Sequence, residues 1–309
     1  MQKRMVGLLA KRAATDVTLK KRPFWQNIKI VPYLYILPNM ILFMAFMIIP
    51  LIMTGYYSLV KWKGLGNPKF VGLDNFKKIL TDQIFLTSLQ NTVKFSVITV
   101  PLLMTLALGL AVLLNRKMAA RGFFRSALYI PSIISMVAAG MIFIWIFNPQ
   151  LGLINYLLES AGLTRIDWLN DPRFAMIMIV AGTLWSRVGY NMVIYLAGLQ
   201  GISSDYFEAA TIDGASGWQK FLYITFPLLQ STHVFILITC IIYSFKTFDL
   251  IYIMTKGGPL NATKTLVVYI YETAFLKNNY GPASASGVIL FVILFLFTLF
   301  RYKFQKEES

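Results

Sequence analysis

The chain has 309 residues, 57% of them hydrophobic and 14% charged, with a mean hydropathy of +0.63, which excludes an ordinary soluble globular domain. The formal net charge of +16 would suit a nucleic-acid binder, but the Lys and Arg residues gather in short segments between long apolar runs, a pattern of membrane orientation with no nucleic-acid partner. One cysteine, Cys240, and one histidine, His233, exclude an intrachain disulfide and a cysteine-based metal cluster, and His233 at the start of an apolar run is expected to pack or to sit at an interface.

Crossing the hydrocarbon core takes roughly 20 apolar residues, because each rises about 1.5 Å and the core is about 30 Å thick. Six stretches meet that length: residues 33–59, 92–114, 127–147, 174–199, 228–254 and 283–302. The fold class expected is therefore all-α, an integral membrane bundle of six transmembrane helices. Residues 1–32 read as a basic cytoplasmic N-terminal tail, 33–302 as the transmembrane domain, and 303–309 as a C-terminal tail. The apolar stretch after the basic tail is too long for a signal-peptide core and has no small-residue cleavage site, so it is expected to stay as a span.

Positively charged connections stay cytoplasmic. With both termini inside, the cytoplasmic segments hold sixteen Lys and Arg residues and the outer connections ten, so both termini are expected in the cytoplasm. The outer connections carry their own structure: Gly64-Leu65-Gly66-Asn67-Pro68 and Gly257-Gly258-Pro259 are turn signals, and Phe76 to Leu89 has the pattern of an amphipathic helix. Trp62 and Trp145 fall near the outer interfaces, where amphipathic rings are enriched.

Of the first five spans, three carry charge. Arg187 stands in the fourth, with Asn191 and Tyr195 following at i+4 and i+8 on the same helix face. A polar stripe with an aromatic ring suits a sugar, whose hydroxyls donate and accept around an apolar ring face. The same residues would equally serve as contacts to a partner subunit. Lys246 and Asp249 in the fifth span stand three residues apart and are expected to neutralise each other before they touch a substrate. Lys94 lies near one end of the second span.

The connection 203–227 between the fourth and fifth spans reads as helix, sharp turn, helix. Ser203 or Ser204 can cap a short helix whose first turn holds Asp205; Gly214 permits the positive φ that ends it, and Pro227 suits the first turn of the next helix. Its Glu208-Ala209-Ala210, three residues, Gly214, nine residues, Ile224, two residues and Pro227 resemble the "EAA" loop of the permeases of binding-protein-dependent ABC importers. Phe226 stands where that family has Leu before the proline, which keeps the position apolar. Tyr35-Ile36-Leu37-Pro38, the run from Phe70 to Phe76, Asn91-Thr92, Phe248-Asp249 and Thr255-Lys256-Gly257-Gly258-Pro259 are similar to the carbohydrate-uptake branch, of the maltose and multiple-sugar type.

That resemblance implies a type I ABC importer permease core in a bacterial cytoplasmic membrane. It implies that Glu208, Ala209, Ala210, Asp213, Gly214 and Ala215 couple the span bundle to a cytoplasmic ATPase dimer. It also implies a second homologous permease chain, an extracytoplasmic substrate-binding protein and a sugar substrate, with lipid around the spans. No cofactor is expected in this chain, ATP and Mg being bound by the partner ATPases. The nearest approach to a phosphate-cradling loop, Gly258 to Thr265, has Thr263 where the second glycine belongs. A secondary transporter would show more spans and internal repeats, and an enzyme would show a nucleophile with its base or clustered carboxylates; neither pattern is present in the sequence. A same-family permease for a polyol phosphate or another solute remains the alternative substrate reading.

Overall fold

The computed structural model describes residues 31–116 and 118–307, and for residues 31, 32 and 300–307 the backbone alone. Most of the expected N-terminal tail and the end of the C-terminal one therefore lie outside the described residues. The chain divides into two units, Met1–Thr54 and Gly55–Ser309.

The described part of the first unit is helical. Helix α1 (Val31–Phe43) passes through a π-helical turn (Met44–Ile48) into α2 (Ile49–Ser58), which runs past the unit boundary. Residues Tyr33–Ser58 are long and apolar enough to cross a membrane, and the side chains of residues 33–54 are almost all exposed.

The second unit opens with a small antiparallel hairpin, β1 (Val60–Lys61) against β2 (Lys69–Phe70), around the expected turn. Asn75 fastens it by donating to the carbonyls of Ser58 (2.8 Å) and Val60 (2.9 Å), while Trp62 stacks between Tyr57 and Tyr280. The amphipathic stretch expected over Phe76 to Leu89 is split: α3 (Asp74–Thr81) ends at Asp82, whose carboxylate accepts from the Ile84 N–H and caps α4 (Gln83–Asn115). The second apolar helix thus begins nine residues before the hydrophobic run. Its first turns mix polar residues with apolar ones, Phe85, Ser88 and Asn91 being buried, so they fall short of a continuous hydrophobic run.

Helix α4 packs along α8 (Pro172–Gln200) to form the central pair. One core joins Leu103, Ala107 and Ala111 of α4 to Met192, Tyr195 and Leu199 of α8 and to Ile236 and Cys240 of α12 (Gln230–Lys246). A second joins Phe95 to Phe143 of α6 (Met136–Ile146), Ile179 of α8 and Leu250 and Ile251 of α13 (Asp249–Thr255). Helix α15 (Tyr280–Glu307) and α14 (Leu266–Tyr271) close a third, smaller cluster around Phe85 and Tyr269.

Two of the expected straight spans are bent. Helix α5 (Arg121–Tyr129) with its 3-10 turn at Ile130–Ser132 meets α6 at 94°, the break following Pro131 with Ser135 in an extended conformation. The run expected over residues 228–254 is interrupted twice. Residues Gly217–Leu228 meet α12 at 66° at Leu229, and Thr247 (ψ 123°) separates α12 from α13. Among the described residues four helices are therefore long and apolar enough to cross a membrane, or up to six if each bent pair is one span.

The connection from α6 to α8 contains α7 (Leu153–Ser160) and is pinned by Asn155, 1% exposed. Its amide donates to the carbonyls of Pro149 (3.0 Å) and Ile166 (2.9 Å), and its oxygen accepts from the Ile166 N–H and the Trp168 indole. Arg165 bonds Glu159 in the same connection and holds its carboxyl below the ordinary carboxylate range.

Close approach of α8 to the bent third segment requires Gly189, where any Cβ would meet the carbonyl of Leu128. Next to it the Tyr190 N–H donates to the Ser132 hydroxyl (3.2 Å). Gly189→Val is expected to lower the thermal unfolding midpoint of the purified protein in detergent, by a destabilisation of about 3 kcal/mol; an unchanged midpoint would mean that this crossing relaxes freely.

Candidate functional site

The connection after α8 builds a projecting helical turn. Helix α9 (Ser204–Ile212) is capped by the Ser203 hydroxyl, which accepts from the Asp205 N–H at 3.3 Å. At its other end Gly214 adopts φ +75°, the Ala215 N–H reaches the Ala210 carbonyl (2.8 Å) and the Gly214 N–H reaches that of Thr211 (3.1 Å). This is the two-bond left-handed closure that glycine favours, and it satisfies carbonyls the helix end would leave bare. Helix α10 (Gly217–Lys220) follows with a reciprocal cap: Ser216 accepts from the Gln219 N–H, and Gln219 accepts from the Ser216 N–H at 2.7 Å. Lys220 ties the two short helices together through the Thr211 hydroxyl, 2.7 Å away. The Ser216-x-x-Gln219 signal is legible in the sequence, but sequence reasoning passed over it for the more prominent glycine.

Of the six residues singled out in this segment, Glu208, Ala209, Asp213 and Gly214 are exposed and Ala210 and Ala215 are half-buried. No residue of α9 is buried, and Ile212 stands 88% exposed. Beside it Trp218 and Tyr223 are also exposed. The helix therefore offers small residues, one large aliphatic tip and three exposed carboxylates, Asp205, Glu208 and Asp213, to whatever meets it.

A π-helical turn (Phe221–Thr225) and α11 (Phe226–Leu228) lead from α10 to the break before α12. His233 spans that break. Its Nε2 donates to the Phe226 carbonyl (3.1 Å), so its Nδ1 accepts from the Tyr195 hydroxyl (3.0 Å), and the ring packs against Phe226 and Tyr195. Tyr195 and His233 line a largely apolar cavity of about 910 Å³ with Pro101, Met104, Phe221 and Pro227.

The stripe expected on the fourth span serves two cavities. Arg187 and Asn191 line a smaller one, of about 200 Å³, with Leu103, Tyr190, Thr239 and Tyr243, whereas Tyr195 is fully buried and faces the larger one. Asn191 donates to the Arg187 carbonyl (3.1 Å) and accepts from the Cys240 thiol (3.6 Å). The Arg187 guanidinium lies over the Tyr243 ring, 3.9 Å from its centroid. Lys246 and Asp249 are exposed and line neither cavity. They stand on opposite sides of the Thr247 break, so the expected helical i, i+3 neighbours are not formed, and no ion pair joins them among the described residues.

Two segments noted in the sequence far apart come together. Asn91 donates to the carbonyls of Asn261 (2.8 Å) and Lys264 (3.1 Å), and the Thr92 hydroxyl accepts from the Leu266 N–H (2.8 Å). Lys264 pairs with Glu272 at 2.7 Å, largely buried, so the turn around Gly257-Gly258-Pro259 is held against α4. Among the described residues no group of three or more His, Cys, Asp or Glu is placed to hold a metal ion.

Residues 103–307 match the family described as the inner membrane component of binding-protein-dependent transport systems. The chain is 40% identical over 282 residues to the sn-glycerol-3-phosphate transport system permease protein UgpA of Agrobacterium fabrum, covering 91% of this chain and 96% of that one. It is 36% identical over 283 residues to the lactose transport system permease protein LacF of Rhizobium radiobacter, covering 90% and 94%. The fold is that of a chain in a bacterial alginate ABC transporter solved in complex with an alginate pentasaccharide-bound periplasmic protein, with a TM-score of 0.80, 24% identity, and coverage of 90% and 95%. Sequence and fold agree along almost the whole chain: it belongs to the family of inner-membrane permease components of binding-protein-dependent transport systems, a transport subunit and not an enzyme.

Proposed function

We propose that this chain is one of two homologous permease chains of an ATP-driven importer in a bacterial cytoplasmic membrane, and that it carries a sugar or oligosaccharide delivered by an extracytoplasmic binding protein. In this reading each bent pair is one span, giving six with both termini in the cytoplasm, in keeping with the excess of Lys and Arg in those segments. ATP and Mg belong to a partner ATPase dimer.

The observation that carries the reading is the projecting α9 turn. A short helix with no buried residue is a poor element of a fold by itself, but its small Ala209 and Ala210, exposed Ile212 and carboxylates suit a cleft on another protein. Glu208, Ala209, Ala210, Asp213, Gly214 and Ala215 form the docking surface. ATP-driven closure of the partner moves α9, and the rigid link of Lys220 to Thr211 passes the movement through α10 and α11 to the hinge at Leu229, where His233 ties it to Tyr195 of α8. Arg187, Asn191 and Tyr195 lie on the helix so moved and line the path; Lys246 and Asp249 flank the break between α12 and α13. A second substrate reading, a polyol phosphate, is favoured by the 40% identity to a glycerol-3-phosphate permease.

Gly214→Asp is expected to cut uptake to below about a tenth while leaving the amount of membrane-inserted chain unchanged, since a side chain in the left-handed region costs about 1–2 kcal/mol and the new charge meets the docking partner. Normal uptake would remove this turn from the coupling route. Gentle purification of a tagged chain from its native membrane is expected to bring down a second six-span permease and an ATPase, identified by mass spectrometry. Recovery of the chain alone, transporting in liposomes without ATP, would overturn the importer reading.

A further inference from the structure

The 200 Å³ cavity between α4, α8 and α12 holds a cation without a counter-charge. Arg187 lies midway along α8, about 20 Å from either end at about 1.5 Å of rise per residue. Among the described residues its guanidinium makes no hydrogen bond, its Nε is buried without a partner, and no carboxylate lies within 4.0 Å. The three ion pairs among those residues, Glu159–Arg165, Asp171–Arg173 and Lys264–Glu272, all lie elsewhere.

An ionised side chain at such a depth is costly, and pairing or a cavity is what makes it tolerable. Among the described residues the guanidinium is held by stacking, over Tyr243 at 3.9 Å from the ring centroid. Stacking occupies one face of the plane and leaves the in-plane N–H fork, the edge that matches carboxylate and phosphate oxygens two at a time. The rest of the wall is uncharged. Asn191 is spoken for by the Arg187 carbonyl and the Cys240 thiol, and the Thr239 hydroxyl donates to the Phe235 carbonyl (2.9 Å), which leaves its lone pairs free to accept from a hydroxyl. With about 30 Å³ of liquid volume per water as a yardstick, the cavity has room for an oxyanion and the first hydroxylated carbons attached to it.

We infer that this pocket is an oxyanion-reading subsite of the translocation path, and that the solute carried is an anionic polyol or sugar whose phosphate or carboxylate meets the Arg187 fork. The inference rests on the importer reading and narrows its substrate class. A neutral sugar offers the guanidinium hydroxyl acceptors but no counter-charge; an oxyanion supplies both, and the solute's hydroxyls find Thr239 and Tyr190 at the same wall.

The test uses the complete importer with its binding protein in proteoliposomes, and two matched pairs of radiolabelled probes: sn-glycerol 3-phosphate with glycerol, and galacturonate with galactose. ATP-dependent uptake of an anionic probe over its neutral counterpart is expected. Arg187→Gln should lower that uptake by about a hundredfold, the scale of removing one partner of a buried charge pair. Arg187→Lys, which keeps the charge but not the planar fork, should keep an intermediate rate. Entry of a neutral probe but not its anionic counterpart, or undiminished anion uptake in Arg187→Gln, would overturn the subsite and leave the importer reading standing. Loss of the second permease chain from purified Arg187→Gln would overturn it in favour of an ion pair between subunits. ATP-dependent entry of none of the four probes would overturn the carbohydrate reading and this inference with it.

Discussion

Hydrocarbon offers no partner to a bare backbone N–H or C=O, and every departure from regular helix in this chain has to be settled inside the protein. The bends at residues 133–135 and at Leu229 and the break at Thr247 each free backbone groups, and side chains next to them supply bonds. His233 reaches the Phe226 carbonyl and the Thr247 hydroxyl reaches that of Tyr243 at 2.8 Å, while Ser132 accepts from the Tyr190 N–H and so pins the bent third segment to α8. A bend without such a neighbour would strand its carbonyls. The buried Ser88 and Thr92 of α4 and Thr183 and Ser186 of α8 bond the carbonyl three or four residues back in their own helix.

The same constraint separates rigid parts from movable ones. The central pair α4 and α8 is closely packed and lined with small residues, whereas the segment from α9 to α11 shares few buried side chains with it. What joins the two is His233, bonded to Tyr195 of α8 and to the Phe226 carbonyl of α11, together with Phe221 packed against the central core, whereas Lys220 to Thr211 stiffens the segment itself. A segment with an internally stiff geometry and few anchors moves as a unit, which is what transmitting a displacement from a docking surface demands.

Shielded charge divides along the same line. Lys264 and Glu272 neutralise each other and serve to hold a turn against α4, beside Asn91 and Thr92. Arg187 is stacked and left open toward a cavity. The first arrangement is architecture and the second lines the cavity proposed as the oxyanion subsite, although both residues are basic.

The amino-acid sequence by itself determined the apolar helices, the helix-turn-helix at 203–227 with its serine cap and left-handed Gly214, and the family, because each of these is written in local periodicity, in capping chemistry or in a spaced motif. Tertiary structure decided the rest. Hydropathy averages over a window, so it could not separate a straight span from two helices bent by 94° or 66°, nor extend α4 back through its mixed first turns to Asp82. Spacing placed Lys246 and Asp249 as helical neighbours, but Thr247 turns the backbone between them; Arg187, Asn191 and Tyr195 share a face as spacing says, yet neighbouring helices assign them to two different cavities. A side chain's neighbours on its own helix are fixed by 3.6 residues per turn, whereas its neighbours across the packing are chosen by helices more than thirty residues away in the chain, and no local pattern carries that information.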